Sequence, residues 1–356
     1  MWNERRSLIA AIEEKRKSRL ICFLTSDRLN ASAIIAKDAI PFFFNQLRQI
    51  GEVPRLDLLV FTAGGDTLAA FGLARLLREF AKWVGVLVPD RCFSAGTLLA
   101  ISANQIYMTR AGMLSPIDPS VTTQLNPVAE GPVPGMRQTL PVSVESIAGF
   151  KTLIEEDWGI HKEEMLAQLF NLLADKVHPV TLGDVYRSRQ QIERLAHQLL
   201  KKHRKDQKNI LRIVSTLTRG LGSHDYPIFK TEAKELFGKQ IAGDDPELET
   251  MVWDLHQSYV KEMNWGVPYN PGSELTRVKE SAPLGGTAVP SLKIRLDMAV
   301  IESLNSRDVF EQNFILRETL VQGPAGPMKA VQQEILEAGW KHYDWKEGAS
   351  HAHTSQ

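Results

Sequence analysis

The chain has 356 residues, of which 43% are hydrophobic and 24% are charged, a composition typical of a globular protein. Its 42 Lys and Arg residues are balanced by 42 Asp and Glu residues, which argues against a nucleic-acid-binding or membrane-surface protein. No apolar run approaches the length of a membrane span, and mixed charges through Arg19 argue against a signal peptide. We therefore expect a cytoplasmic protein with no integral membrane segment and no nucleic-acid partner.

The two cysteines, Cys22 and Cys92, lie in apolar, strand-like contexts. Their number and spacing fit neither a disulfide framework nor a metal site. We interpret them as buried hydrophobic residues of a reducing compartment, and we expect no metal and no organic cofactor.

The first third of the chain predicts alternating helices and strands. The predicted strands lie at 19–25, 56–62, 84–88 and 105–109. The predicted helices lie at 4–17, 32–50 and 68–82 and after Ser94, and Pro41 breaks or kinks the second of them. Strand–helix–strand alternation at this spacing indicates an α/β fold with a parallel sheet and right-handed crossover helices.

The rest of the chain predicts a helical appendage followed by strands. The expected elements are an exposed Pro- and Gly-rich loop over or beside the site at 124–143, helices at 144–158, 161–176, 185–203 (capped by Asp184) and 244–265, two helices within 207–238, a loop at 266–290, and paired strands at 292–301 and 309–317. The predicted domains are a core at 18–180, a helical subdomain at 181–265, a strand pair and tail at 266–346 that pack on the core, and a disordered tail at 347–356.

Ser94 lies between a buried strand and an apolar helix, within residues 93–97 of sequence FSAGT. Small neighbours on both sides of such a hydroxyl let a substrate carbonyl come close, and the first N–H groups of the helix can stabilise an oxyanion. Ser94 is therefore a candidate nucleophile. A serine that only caps the helix is the alternative.

Gly64 and Gly65 end the preceding strand, so they are expected at the same carboxyl edge of the sheet as Ser94. Two glycines let the backbone turn an N–H into the cleft, and Gly64, Gly65 and Ala95 are the candidate oxyanion hole, with the N–H groups of Gly65 and Ala95 as donors. A simple turn or a phosphate-binding turn is the alternative. The sequence GGDT does not match a dinucleotide fingerprint, and Cys92 replaces the first glycine of an α/β-hydrolase elbow.

The chain resembles the Clp protease/crotonase superfold in three motifs, TAGG at 62–65, FSAGT at 93–97 and MLSPIDP at 113–119. Four later stretches narrow this resemblance: HPVTLGDVYRS at 178–188, SHDYPI at 223–228, EAKEL at 232–236 and AVIES at 299–303. With them, the chain is similar to the serine dehydrogenase proteinase family, relatives of signal peptide peptidase A. The resemblance covers most of residues 18–320. It implies a nucleophilic Ser94 with Gly65 and Ala95 as oxyanion donors. Ala63 stands where relatives usually carry Pro.

The general base is less clearly marked. Clp protease subunits use a histidine about 25 residues after the serine, but this region of the chain has no histidine; it holds Asp118, which we expect to orient a loop near the site. Relatives of signal peptide peptidase use a lysine on a later helix, and Lys151 lies at about that separation. A lysine acts as a base only if burial lowers its pKa. His178 is the second candidate.

The leading hypothesis is a homo-oligomeric serine peptidase that acts on peptides or unfolded proteins through Ser94, with a lysine as the base. A catalytically inactive scaffold of the same fold is the alternative, because the expected histidine is missing. Acyl-thioester chemistry on coenzyme A is a third possibility, since crotonases also use paired backbone N–H groups.

Overall fold

A computed structural model describes residues 2–117, 120–121, 123–130, 137–140, 142–281, 291–323 and 326–344. The strands are β1 (Arg19–Thr25), β2 (Asp27–Arg28), β3 (Ala31–Ser32), β4 (Val53–Phe61), β5 (Ala81–Val88), β6 (Arg91–Cys92), β7 (Gln105–Met108), β8 (Met113–Leu114), β9 (Ser120–Val121), β10 (Val128–Glu130), β11 (Arg137–Thr139), β12 (Val142–Ser143), β13 (Ile228–Phe229), β14 (Ser291–Glu302), β15 (Ser306–Gly323) and β16 (Gly326–Asp344).

The helices are α1 (Trp2–Arg16), α2 (Ile40–Ile50), α3 (Thr67–Phe80), α4 (Ala95–Ile101), α5 (Val144–Thr152), α6 (Glu163–Lys176), α7 (Pro179–Leu200), α8 (Gln207–Ser215), α9 (Lys230–Phe237), α10 (Pro246–Glu262) and α11 (Pro271–Ser281). Two π-helical turns, Leu153–Asp157 and Thr216–Gly220, extend α5 and α8. No helix in the described residues has both the length and the apolar character needed to cross a membrane.

The main sheet has seven strands in the order β16-β15-β14-β1-β4-β5-β7. Strands β1, β4, β5 and β7 are parallel, whereas β14, β15 and β16 join them in antiparallel fashion. The predicted α/β fold with a parallel sheet and crossover helices is confirmed. The predicted strand pair near the C-terminus is present as β14 and β15, which extend the same sheet.

Both faces of the parallel strands are buried, which explains why these strands are continuous apolar runs. In β1, Ile21 and Phe23 contribute to one core with α2, α3, α4 and α7, while Leu20, Cys22 and Leu24 contribute to a second core with α1 and α10. Burial raises the pKa of both the Cys22 and the Cys92 thiol, so both cysteines are unreactive core residues.

A buried ion cluster on the second face joins α1, α10, β14 and β15. It consists of Arg5, Glu262, Glu302 and Arg307. The Arg5 Nε donates to both oxygens of Glu302, at 3.0 and 3.1 Å, and its Nη1 donates to Glu262. The Arg307 Nη1 donates to Glu262 Oε1 at 2.6 Å. Burial alone would raise the pKa of Glu262, but the charges of Arg307 and Arg5 outweigh it and lower this pKa to about 2.

Three predicted elements differ from the structure. The helix expected at 32–50 begins only at Ile40, because Pro41 fits the first turn of a helix and the preceding residues pair with the turn at Gly65. The helix expected from Val185 begins at Pro179, so Asp184 is not its cap but lies inside it, 2.7 Å from Arg187. The loop expected at 266–290 contains α11.

The tail of the chain also forms regular structure: β16 pairs along β15 over its whole length. Its sequence gives a weak strand signal because it is an edge strand with few buried residues. The predicted disordered tail at 347–356 lies outside the described residues.

Candidate active site

Ser94 and the glycine pair meet at the carboxyl edge of the parallel strands. The chain after β5 returns alongside the end of β4, where Thr62 N donates to Arg91 O at 2.9 Å and Phe93 N donates to Thr62 O at 3.0 Å. This pairing brings Ser94 against Gly64. A Cβ built on Gly64 would lie 2.9 Å from Ser94 Cβ and 3.5 Å from Ser94 Oγ, so this approach requires glycine. The sequence-predicted neighbourhood of the two motifs is therefore present.

Ser94 has a strained backbone, with φ of 51° and ψ of −110°. A non-glycine residue in such a region costs on the order of 1–3 kcal/mol and persists only where its surroundings hold it. Ser94 is the residue before α4, yet its side chain makes no capping hydrogen bond. In the described part of the chain its hydroxyl has no hydrogen-bond partner, and the residue is half-buried. The alternative of a serine that caps the helix is not what the structure shows.

Two buried hydroxyl groups hold this strained turn. Ser94 N donates to Ser115 Oγ at 2.8 Å, and Ser115 N donates to Thr97 Oγ1 at 3.0 Å. The Thr97 hydroxyl in turn donates to Cys92 O at 2.9 Å. Both residues are at most 1% exposed. The backbone on either side of Ser94 is thereby tied to α4 and to the segment after β8.

The glycine turn is organised by a third hydroxyl, that of Thr62. Its Oγ1 accepts from Gly64 N at 3.1 Å and from Thr25 Oγ1 at 2.8 Å. Gly65, with φ of 141°, lies against Ile35, and a Cβ on Gly65 would be 2.3 Å from Ile35 O. The Gly64 N–H is therefore already used by Thr62.

The N–H groups of Gly65 and Ala95 are different from that of Gly64. Neither donates a hydrogen bond to any acceptor among the residues that the structure describes. Gly65 follows the glycine that touches Ser94, and Ala95 follows Ser94 itself. These two donors are therefore available for a ligand near the Ser94 hydroxyl.

The candidate bases do not contact Ser94. The Lys151 side chain on α5 is 74% exposed and pairs with Glu155 at 3.7 Å. His178 is exposed and precedes α7, where its Nδ1 accepts from Val180 N at 3.2 Å. Asp118 lies outside the described residues. The identity of the base thus stays a prediction.

Two histidines that sequence reasoning did not single out lie elsewhere, of which His256 is buried and His203 is half-buried. His256 on α10 stacks on Phe61, with ring centroids 4.7 Å apart, on the face of the sheet opposite α4. Burial, aided by the charge of Arg91, lowers its pKa to about 4. His203 Nε2 lies 2.9 Å from the carbonyl of Ile101, at the far end of α4 from Ser94, and burial lowers its pKa to about 4 as well. Both are neutral at pH 7.

Sequence reasoning also missed the supporting hydroxyls of Thr62, Thr97 and Ser115. Each of these residues lies inside a motif that sequence analysis identified, and this position was a weak signal of a supporting role. Their partners are distant in sequence, and only the folded chain brings them together.

Comparison with known proteins gives the family of the chain. Residues 1–178 match the family described as ClpP-like SDH-type serine proteinase. The chain belongs to this family. The matched half contains Ser94, Gly65 and Ala95, and it also contains Lys151 and His178. The resemblance inferred from the motifs is confirmed, and with it the Clp-like fold class.

The individual relatives say less about activity. Two uncharacterized proteins of Methanocaldococcus jannaschii are 29% identical over 220 residues and 25% identical over 211 residues. These matches cover 61% and 58% of the chain, and 64% and 58% of the respective relatives. A solved structure of a mutant of the membrane-bound stomatin-specific protease 1510-N is 10% identical, with a TM-score of 0.35 over 60% of this chain and 77% of the other. A likeness at that level carries no argument about the site.

Proposed function

We propose that this ClpP-like serine proteinase hydrolyses peptide bonds through an acyl-enzyme on Ser94. The observation that carries the proposal is the Ser94 turn itself. A strained, positive-φ serine holds a hydroxyl without a partner among the described residues, beside two N–H groups that have no acceptor there. Strain of this kind is typical of functional sites.

In the proposed first step, Ser94 Oγ attacks the scissile carbonyl carbon and passes its proton to a base. The new oxyanion accepts hydrogen bonds from the N–H groups of Gly65 and Ala95, and loss of one such donor typically costs about 3 kcal/mol of transition-state stabilisation. The base then protonates the leaving amine as the C–N bond breaks. In the second step the base activates a water molecule, which releases the acid product and regenerates the Ser94 hydroxyl.

Lys151 is the base that we propose, with His178 as the second choice. For Lys151 to act, its ion pair with Glu155 must open and its ammonium group must lose contact with water, since both the pair and the water favour the charged form. For His178 to act, its Nδ1 must release Val180 N or its Nε2 must face the serine.

Peptides or unfolded protein segments are the proposed substrates, and the proposed working form is a cytoplasmic homo-oligomer. Neither proposal needs a metal or an organic cofactor, because the serine, the two N–H groups and one base account for the whole reaction.

A catalytically inactive scaffold is the second candidate, favoured by the absence of any described basic side chain hydrogen-bonded to Ser94. Labelling of the full chain with a fluorophosphonate, followed by peptide mapping, separates the two. The peptidase predicts an adduct on Ser94 and turnover of an unfolded protein such as reduced casein, both lost in Ser94→Ala. An unlabelled Ser94 in the folded protein would favour the scaffold.

A further inference from the structure

The peptide group between Gly64 and Gly65 carries one of the two proposed oxyanion donors, the Gly65 N–H. The direction of this peptide plane therefore decides whether that donor faces the site. Both glycines have positive φ, 121° and 141°, and glycine reaches positive and negative φ about equally well. The two glycines by themselves thus allow the plane to turn over, which would exchange the N–H of Gly65 for the carbonyl of Gly64. Other groups must hold the plane in place.

The carbonyl oxygen of Gly64 is held from two sides. Ile35 N donates to it at 2.8 Å, and Thr62 Oγ1 donates to it at 3.2 Å. The following peptide is held as well, since Asp66 N donates to Ile35 O at 2.8 Å. In a trans peptide the N–H points opposite to the C=O, and the described ranges contain no cis peptide. The Gly65 N–H is therefore directed away from Ile35, and it has no acceptor among the described residues.

The Thr62 hydroxyl bonds both polar groups of Gly64. Besides donating to the Gly64 carbonyl, its Oγ1 accepts from Gly64 N at 3.1 Å. A threonine hydroxyl has one proton and two lone pairs. Gly64 N uses one of these lone pairs, so the direction of the Thr62 proton depends on what occupies the other.

Thr25, the last residue of β1, occupies the second lone pair of Thr62. Its hydroxyl donates to Thr62 Oγ1 at 2.8 Å. Because both lone pairs of Thr62 are then in use, the Thr62 proton is left for the carbonyl of Gly64. Both threonines are fully buried, so bulk water does not replace either hydroxyl.

We propose that Thr25 and Thr62 are positioning residues that keep the Gly65 N–H free for the oxyanion formed at Ser94. Thr62 holds the peptide plane, and Thr25 directs the Thr62 proton toward it. Both act through the glycine turn and not on the substrate. This inference rests on the proposed function, in which Gly65 N donates to that oxyanion.

Two variants of the full chain test the inference by their kinetics. Thr62→Val and Thr25→Val keep the shape of each side chain and remove its hydroxyl. In Thr62→Val we expect kcat for reduced casein and the rate of fluorophosphonate labelling at Ser94 to fall about 100-fold with little change in KM, as for one lost oxyanion donor. In Thr25→Val the fall should be about tenfold, because the Thr62 hydroxyl remains but its proton is no longer directed. Thr62→Ser and Thr25→Ser keep the hydroxyl and should restore both rates.

Crystal structures of the variants supply a measurement that does not depend on activity. In Thr62→Val we expect the Gly64 carbonyl to have turned away from Ile35 N, since the buried Gly64 N–H has lost its acceptor and the carbonyl has lost one donor. The matched control is Thr218→Val, which removes a buried hydroxyl that donates to Val214 O at 2.8 Å. It should change neither the rates nor the glycine turn. Circular dichroism checks that each variant folds, and Thr25→Val provides the same two measurements if Thr62→Val does not fold.

Three results would each overturn the inference: an unmoved Gly64 carbonyl in the Val variants, a turned carbonyl with an unchanged labelling rate, or an equal loss of rate in Thr218→Val. A native Ser94 that is not labelled would instead overturn the proposed function. The direction of the Gly64 carbonyl in the variants would still decide whether the two threonines hold the peptide plane, so the two failures are distinguishable.

Discussion

One polar cluster lies on a face of the sheet and another lies at the carboxyl edge of its parallel strands, and they use polar groups in opposite ways. In the ion cluster under α1 and α10, every charged residue meets an opposite charge, and Arg5 and Glu302 are fully buried. At the Ser94 turn, hydroxyls hold the backbone in a strained conformation and one hydroxyl is left without a described partner. The first cluster joins α1 and α10 to β14 and β15, whereas the second sustains a conformation that costs stability. This difference predicts that mutations will separate activity from stability.

The largest effect is expected at the Ser94 turn itself. Ser94→Ala should abolish fluorophosphonate labelling and lower peptidase activity at least about 1,000-fold, because the nucleophile is removed. Ser94→Gly should be equally inactive but more stable than Ser94→Ala, by about 1 kcal/mol, since glycine adopts positive φ without the steric cost. Urea unfolding of the two variants measures the difference. Equal stability of the two would show that the turn stores no strain.

The next effect is on stability alone. Glu302→Gln leaves the Arg5 and Arg307 guanidinium groups beside a neutral amide, and breaking a buried ion pair in this way typically costs about 3–5 kcal/mol. The free energy of unfolding should fall by that amount, while the fraction of Ser94 that is labelled in folded protein stays unchanged.

The matched control for Glu302→Gln is Arg187→Ala, which removes an exposed pair with Asp184 and should cost less than about 1 kcal/mol. A loss of Ser94 labelling in folded Glu302→Gln protein would contradict the separation of the two clusters.

Acid should destabilise the protein in two successive pH ranges. Buried His256 and half-buried His203 have folded-state pKa values of about 4, below the value of about 6.5 for an unfolded histidine. The unfolded chain therefore binds more protons, and stability falls as the pH drops from about 6.5 to 4, by on the order of 3 kcal/mol for each group. Glu262, with a folded pKa of about 2 against an ordinary 4.5, adds a further loss between pH 4.5 and 2.

Denaturant unfolding at a series of pH values measures both ranges. His256→Gln should reduce the slope between pH 6.5 and 4 by about one proton, and Glu262→Gln should reduce the slope below pH 4.5. An unaltered slope in His256→Gln would mean that this histidine is not held neutral by the fold.

The parallel core and the central part of the site could be predicted from the sequence. Strands such as β4 are buried on both faces, so they appear as uninterrupted apolar runs, and motifs that follow consecutive parallel strands must share one edge. That logic alone placed Ser94 beside Gly64. The motifs also gave the family, which the match over residues 1–178 confirmed.

Features that depend on tertiary contacts could not be predicted. Lys151 lies at the separation expected of a base lysine, but on an exposed helix its ammonium group is not shielded from water. Strand β16 was missed because an edge strand with polar faces has no clear alternation. The hydroxyls of Thr97 and Ser115 are common residue types whose roles arise only from contacts between β6, α4 and β8.

The smallest expected effect tests whether those hydroxyls support the Ser94 turn. Thr97→Val keeps the shape of the side chain but leaves Ser115 N and Cys92 O without their shared partner, at a cost of about 1–3 kcal/mol in stability. We expect kcat for an unfolded substrate to fall about tenfold with little change in KM, because the Ser94 backbone loses its fixed geometry while the rest of the site is unchanged. Thr97→Ser retains the hydroxyl and should restore kcat, which distinguishes support of the turn from simple packing. If Thr97→Val lost stability but kept its kcat, the strained turn would be held by Ser115 and the α4 backbone without help from Thr97.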